Sequence, residues 1–319
     1  MADPDAALSV SIINYRTAAM TIRCAGSVLA DLGDVPARIV IVDNASGDGS
    51  GDEIARWIAA LPEPGAVRLV RSPVNSGFSG GHNLGMEGAA PLHLVLNSDA
   101  LLRPGFVPAI LAAAAADSGA GLVAPRIEHE DGSQQVNCFR IPSPFSELIR
   151  GARTGPVTRL LRAWDVPLDM PPGPGEIGWA SFACILLRRQ MADAIGPMDE
   201  GYFLYFEDTE YCLRAGRAGW RIAHAPQARV VHLRGGSAPV KALATAGRRL
   251  PSYYYASRAR LLAQAHGRAG LWAANLAWHA GRAVAGARRL MGRPPPPALE
   301  AEARDIWTGA LRPLASAAR

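Results

Sequence analysis

Cysteine is scarce in this chain. Cys24, Cys138, Cys184 and Cys212 are scattered through 319 residues without a CxxC pair or any other zinc spacing. That argues against a disulfide framework and a zinc ribbon, and fits free thiols in a reducing compartment. Long apolar runs are missing as well. The nearest approach to the ~18 residues that a spanning helix needs is 269–287, which Asn275, His279 and Arg282 interrupt. The first eight residues carry two acids and no basic cluster ahead of an apolar run, so no secretory leader is read there. Acids are also rare near the end. From Lys241 onward 13 Lys and Arg face only Glu300, Glu302 and Asp305, a balance of +10 within a net +5, which leaves −5 for residues 1–240. A basic tail on an acidic body calls for an anionic partner or a solvated helical face.

What is present is a regular alternation. Ser9–Ile13 and Arg38–Val42 are short β-branched runs of the kind buried strands use. Residues 67–70, 92–96 and 121–124 read as further strands, with helices over 18–32, 52–61, 80–89 and 105–116. Strands separated by such helices imply βαβ units and a mainly parallel sheet, whose ligands bind beyond the carboxyl ends of the strands. Residues 126–178 are punctuated by Pro and Gly and read as a variable insertion or loop. A strand over 183–187, a helix over 209–218 and a short strand over 229–232 follow, and beyond Pro239 the chain turns helical: 253–266, 271–290 and 298–311. Length allows two domains, or one large α/β domain with an appendage.

Polar clusters fall at the predicted strand ends. Asp43-Asn44 follows the second strand and suits a ligand ring or an Asx-turn. Between Asn75 and Gly85 four glycines, with Asn75, Phe78, His82 and Asn83, lead into a helix. Glycine allows close backbone approach and helix N-termini favour phosphate, although this loop is neither a P-loop nor GxGxxG. Asn97-Ser98-Asp99 ends another strand and offers a carboxylate to a hard cation, or a simple turn. Tyr202 to Phe206 bring aromatics up to Glu207, Asp208 and Glu210 at a helix start. Acids there can serve as helix caps or, where partly desolvated, as a general base; Arg214 is placed to pair with one of them. Val231-His232 precedes Arg234-Gly235-Gly236-Ser237, where a histidine is structural or a ligand near phosphate.

In this order the segments resemble glycosyltransferase family 2, the inverting transferases of GT-A fold, and within it a rhamnosyltransferase-like bacterial branch. The resemblance spans 9–240: Asn14-Tyr15, the Val-Asp-Asn-Ala-Ser turn, Asn-x-Gly-Phe-x-Gly-Gly-x-Asn-x-Gly, Leu-Asn-Ser-Asp, Tyr-Phe-Glu-Asp before Cys-Leu-Arg, and Val-x-His before Gly-Gly-Ser. It implies an α/β Rossmann-like fold with a C-terminal helical extension. The catalytic domain would be 1–240, with donor binding at 9–125 and acceptor and catalytic parts at 176–240; the extension would be 241–319. Asp43 would contact the base with Asn44 beside it, and Asn75, Gly77, Phe78 and Asn83 would line the donor pocket. Asn97 and Asp99 would stand for the Asp-x-Asp motif, with Asp99 and His232 holding Mn²⁺ or Mg²⁺. Asp208 would be the base and Glu207 its neighbour at the acceptor.

The sequence departs from the family pattern at Asn97, where one carboxylate is replaced by an amide, and at Phe182-Ala183, where relatives often read Gly-Ala. Trp179 close by offers a face to an acceptor sugar or to packing. The resemblance implies a nucleotide-diphosphate sugar donor, dTDP-rhamnose first and a UDP-sugar second, and a glycan or lipid-linked acceptor. It implies no nucleic acid. Location would be cytoplasmic, with the Arg-rich terminal helices as a peripheral membrane contact through Arg260, Arg268, Arg282, Arg288, Arg289, Trp272 and Trp278, or as a packing element. A nucleotidyltransferase would want a Gly-rich basic signature where Asn14-Tyr15-Arg16-Thr17 stands. A non-catalytic nucleotide-sugar-binding or scaffold protein of the same fold is the rival from another class.

Overall fold

The apolar, β-branched runs become buried strands, because residues buried on both sheet faces need no polar alternation. A computed structural model describes residues 6–315, apart from 89, 174 and 234–239. The first half holds β1 (Leu8–Asn14), α1 (Ala18–Asp31), β2 (Ala37–Asp43), α2 (Ser50–Ala59), β3 (Val67–Arg71), α3 (Gly77–Met86), β4 (Leu92–Asn97), β5 (Ala100–Leu102), α4 (Phe106–Ala116) and β6 (Ala120–Glu128). Next come β7 (Cys138–Phe139), α5 (Pro144–Ala152), α6 (Gly155–Leu160), β8 (Trp179–Ala180), β9 (Cys184–Arg188), α7 (Arg189–Ile195), α8 (Glu207–Arg217) and β10 (Arg221–His232). The chain ends in α9 (Val240–Thr245), α10 (Ser252–Ala287) and α11 (Glu302–Asp305).

Eight strands form one sheet in the order β3-β2-β1-β4-β9-β6-β10-β5. Four of its seven pairings are parallel; β9 runs antiparallel to both neighbours and β5 runs antiparallel to β10. Register pairs Asn14 with Asp43 and Ile13 with Asn97. The polar residues that end β1, β2 and β4 therefore meet along one edge. Leu8, Ile12, Ile39, Ile41, Leu94 and Leu96 lie fully buried beneath it.

Three expectations change. The segment 126–178 is ordered around α5, which begins with a Ser143–Ser146 capping box and a proline in its first turn. The strand expected over 229–232 is the end of a 12-residue strand whose register shifts between Ala225 and Arg229. The last predicted helix is reduced to the four residues of α11.

The C-terminal helices pack on the rest of the chain. α10 breaks at Gly267 (φ 72°, ψ 175°). Arg258 donates to Asn275 Oδ1 at 2.8 Å, 17 residues away. On a straight helix those residues would stand about 25 Å apart, so the two halves fold back on each other. Arg258 also donates to Glu147 of α5 at 2.7 Å, and Arg260 pairs with Asp199 at 2.8 Å. Tyr202 hydrogen-bonds Gln264.

Candidate active site

Asn14 organises the first part of the site. Its amide donates to Asp43 Oδ1 at 2.9 Å, to Ser46 at 3.1 Å and to Ser50 at 2.9 Å, and Ser46 in turn donates to Asp43 at 2.5 Å. Asp43 is thus fixed at the end of β2. Asn44 next to it faces the other way. It donates to Asn75 Oδ1 (3.1 Å) and the Gly77 carbonyl (2.9 Å), and it accepts from the backbone N–H and the hydroxyl of Ser76 (both 3.1 Å). Both amide protons and the oxygen are used, so Asn44, beside Asp43, clamps the 75–77 turn.

The glycine run is a helix start rather than a loop ahead of one. Gly77 opens α3 with φ +71°, and a Cβ there would lie 2.0 Å from the carbonyl oxygen of Phe203. Further along, a Cβ at Gly85 would lie 2.6 Å from that of Ser11. The missing side chains let α3 press on β1 and on the turn at 203. Phe78, half-buried, packs its ring 4.4 Å from that of His82.

At the end of β4, Asn97 is held by its backbone, donating to the Ala183 carbonyl at 3.0 Å. Two residues on, the buried Asp99 places Oδ1 3.2 Å from His232 Nε2, at the end of β10. The antiparallel register of β5 and β10 pairs His232 with Ala100, which makes this contact. Gln135 fixes the far side, donating to the carbonyls of Glu128 (2.8 Å) and His232 (2.9 Å). A cleft of about 480 Å³ opens beside His232 against His129, Glu130, Asp131 and Ser133. Residues 234–237, expected to continue this site, lie outside the described residues.

The acidic turn is strained. Tyr205 and Phe206 both adopt left-handed backbone (φ 73° and 71°) immediately before Glu207. Such residues cost about 1–3 kcal/mol each and concentrate at functional sites. Glu207 is buried, and its Oε2 has no hydrogen-bond partner among the described residues. Burial, then the charge of Asp208, pushes its carboxyl well above the usual range. Asp208 is half-buried and accepts from the Thr209 N–H at 2.7 Å. Burial raises it to about 6, against hydrogen bonds from Thr209 and from the Phe182 backbone N–H that lower it. Glu210 instead pairs with Arg214 at 2.6 Å, which is the ion pair expected of Arg214. Phe182-Ala183 lies between the two acidic centres: the Phe182 N–H donates to Asp208, and the Ala183 carbonyl accepts from the Asn97 N–H.

Two further expected residues have protein partners of their own. Asn83 donates to the Met198 carbonyl (3.0 Å) and accepts from its N–H (2.9 Å), which pins the 196–200 turn. Trp179 stacks on Phe139 at 4.2 Å and donates to the Arg140 carbonyl at 3.0 Å. Sequence reasoning gave no role to Gln135, whose signal was only a polar residue in an irregular segment. It also passed over the buried chain Ser9–His93–Ser11–His82, joined by contacts of 2.7–2.8 Å behind the α3 face of β1. Burial holds His82 well below its usual value and His93 at about 3, so both are neutral.

A mixed, twisted sheet with helices on both faces, and acids gathered at the carboxyl ends of its strands, defines a glycosyltransferase of GT-A fold. Two solved structures share the architecture. The chain superposes on GalNAc-T7 in complex with UDP, GalNAc and Mn²⁺ with a TM-score of 0.59 at 15% identity, covering 82% of this chain and 48% of that one. It spans only about half the length of that protein. On the mannosyltransferase PcManGT from Pyrobaculum calidifontis, in complex with GDP-Man and Mn²⁺, the TM-score is 0.53 at 17% identity, covering 92% and 79%. The profile of glycosyl transferase family 2 matches residues 9–157. An N-acetylglucosaminyl-diphospho-decaprenol L-rhamnosyltransferase of Mycobacterium tuberculosis is 31% identical over 264 residues, 76% of this chain and 79% of its own. The low-salt glycan biosynthesis hexosyltransferase Agl10 of Haloferax volcanii is 24% identical over 230 residues, 70% of this chain and 66% of its own. The chain belongs to glycosyltransferase family 2.

Proposed function

We propose that this glycosyltransferase moves a sugar, with rhamnose the first choice, from a nucleotide diphosphate to a hydroxyl of a glycan or lipid-linked acceptor, with inversion. The carrying observation is Asp208, half-buried at the head of α8 with its carboxyl raised toward neutrality. A base that titrates near the working pH is efficient at taking a proton. As the acceptor oxygen attacks the anomeric carbon from the face opposite the diphosphate, its proton passes to Asp208. The bond to the diphosphate breaks, and the nucleoside diphosphate leaves with that electron pair. Glu207, held neutral beside it, keeps a second negative charge away from the base. Asp43, fixed by Asn14 and Ser46, is assigned to the nucleotide. Asn75, Gly77 and Phe78 line the donor side, and Asn97 is assigned there as well. Trp179 keeps a half-exposed face for an acceptor sugar.

Asp99 and His232 are assigned to a divalent cation, Mn²⁺ or Mg²⁺. A carboxylate oxygen and an imidazole nitrogen 3.2 Å apart fit such an ion as two protein ligands. No group of three or more ligand side chains occurs among the described residues, so diphosphate oxygens and water would complete the shell. When bound, the ion supplies positive charge to the leaving diphosphate. Residues 1–240 are the catalytic unit on this reading, and 241–319 brace it.

The rhamnosyltransferase relative supports rhamnose as the sugar; dTDP-rhamnose is the first donor assigned on this reading and a UDP-sugar the second. The relative's decaprenol-linked acceptor supports a peripheral position at a membrane, which this reading assigns to the cytoplasmic face. Among the described residues no helix is long and apolar enough to cross one. Thermal shift across dTDP-, UDP- and GDP-sugars with Mn²⁺ tests the donor. Release of free sugar and nucleoside diphosphate from the stabilising donor separates an enzyme from a non-catalytic binding protein. A protein that binds the donor and never turns it over sinks the catalytic reading.

A further inference from the structure

The outward face of α10 beyond Gly267 is apolar, the opposite of what a solvated helix presents. Trp272, Leu276, Ala280, Ala283, Val284 and Ala287 share one face and all lie exposed. The three large ones are 42%, 59% and 44% exposed. The polar groups of this half turn inward: Asn275 is buried on Arg258, and Arg282 donates to the Pro296 carbonyl at 2.8 Å. The Trp272 indole N–H donates to the Ala310 carbonyl, bringing Leu311, 71% exposed, alongside. Arg268, exposed although it also donates to the Leu311 carbonyl at 3.3 Å, stands before the stripe, and Arg288, Arg289 and Arg293 stand after it. Between Glu210 and Glu300 the sequence holds 15 Lys and Arg and not one acid.

We infer that this face docks on an anionic lipid surface, with the second half of α10 lying in the interfacial plane. The apolar stripe enters the acyl boundary and the arginines at its ends meet headgroup phosphates. Charge selects this occupant. A second copy would set the same arginines against each other about a two-fold axis, with no acid on the helix to meet them. Anionic headgroups supply the missing sign. The docking set differs from the one the sequence offered: Arg260 is paired with Asp199, Arg282 is turned inward and Trp278 is buried. The first half of α10 reaches residues 199–204 through Arg260, Gln264 and Ser257. The bilayer contact is therefore one helix break away from the segment that carries Asp208.

The test is co-sedimentation of the full chain with vesicles of phosphatidylglycerol or of phosphatidylcholine. Both are free of glycan, so the result does not depend on the transfer reaction. Binding to phosphatidylglycerol at least tenfold tighter than to phosphatidylcholine, weakened by salt, is expected. The double substitution Leu276→Glu and Val284→Glu should lower it at least tenfold with unchanged circular dichroism and Tm, as these positions are already exposed. Replacing Arg288 and Arg289 by Ala should lower it severalfold. Absence of binding, or binding indifferent to Leu276→Glu and Val284→Glu, overturns the inference. So does a gel-filtration dimer that those two substitutions dissolve in a protein that ignores vesicles.

Discussion

The backbone N–H of Phe78 donates to the carbonyl oxygen of Phe203 at 3.0 Å. This bond ties the start of α3 to the turn that launches Glu207 and Asp208, and so joins the proposed donor and base sides of the site. The contact exists because Gly77 has no side chain to strike Phe203. Gly77→Ala combines that clash with a left-handed backbone that costs an L-residue about 1–2 kcal/mol. We expect Tm to fall by several degrees and donor affinity to fall at least tenfold. Differential scanning fluorimetry with and without donor reads both effects, and wild-type values for both would show the contact to be dispensable.

Asp208→Asn should reduce turnover by about 10²–10⁴-fold, the range of general-base contributions, while donor affinity stays within a factor of two. In the parent enzyme kcat/KM should climb with pH as Asp208 loses its proton, and level off above about 6. The climb should vanish in the variant's residual activity. A flat profile in the parent from pH 5 to 8 would falsify the assignment.

Asp99→Ala and His232→Ala should each weaken metal-dependent donor binding by at least tenfold. Calorimetry with Mn²⁺ and then with EDTA separates the effect from folding. The parent should lose donor affinity on chelation, and the variants should respond little. Equal EDTA sensitivity in all three proteins would place the ion elsewhere.

Glu207→Gln should stabilise the fold in a pH-dependent manner. The native state holds this carboxyl protonated above its ordinary value of 4.5. Its stability is therefore complete below that value and is lost as pH rises toward the folded one. Glutamine cannot ionise. The Tm gain over the parent should be near zero at pH 4 and grow to a few degrees at pH 8; a gain that stays constant with pH would refute the buried neutral acid.

Glu147→Gln should be among the most damaging changes away from the site. Burial raises Glu147, but Arg150 and Arg258 outweigh it and hold the carboxyl at about 2. Removing the charge leaves the buried Arg258 without its ion partner, a loss of about 3–5 kcal/mol in comparable cases. Urea unfolding should show that drop at pH 7. In the parent the contribution is present above the ordinary carboxylate pKa and fades as pH falls toward 2.

Most strands and helices up to residue 124 were legible because each reflects a local pattern, β-branched runs or an amphipathic stripe; β5, only three residues long and paired with a strand 130 residues away in sequence, was not. The gathering of Asn14, Asp43 and Asn97 at one edge was legible too, since parallel strands that end in polar residues align there. The partners of Asn44 and Asn83 were not legible, for a common reason. Both are polar residues in donor-like motifs, yet their partners are set by pairing across 31–33 residues for Asn44 and 115 for Asn83, which spacing does not encode. Gln135 was invisible until β6, β10 and its own loop converged. The antiparallel insertion of β9 between β4 and β6 is likewise a matter of strand order, which a buried apolar run does not specify.

The link between Glu147 and Arg258 also bears on synthesis. The two residues are 111 apart, and at ribosomal speeds of about 5–20 residues per second the acid emerges roughly ten seconds before its partner. Through that interval α5 cannot bury its carboxylate beside Arg258, and its apolar side stays uncovered. Until α10 emerges the nascent chain thus lacks the helix that covers α5, and in that interval holding chaperones would find a binding site that the finished protein does not display.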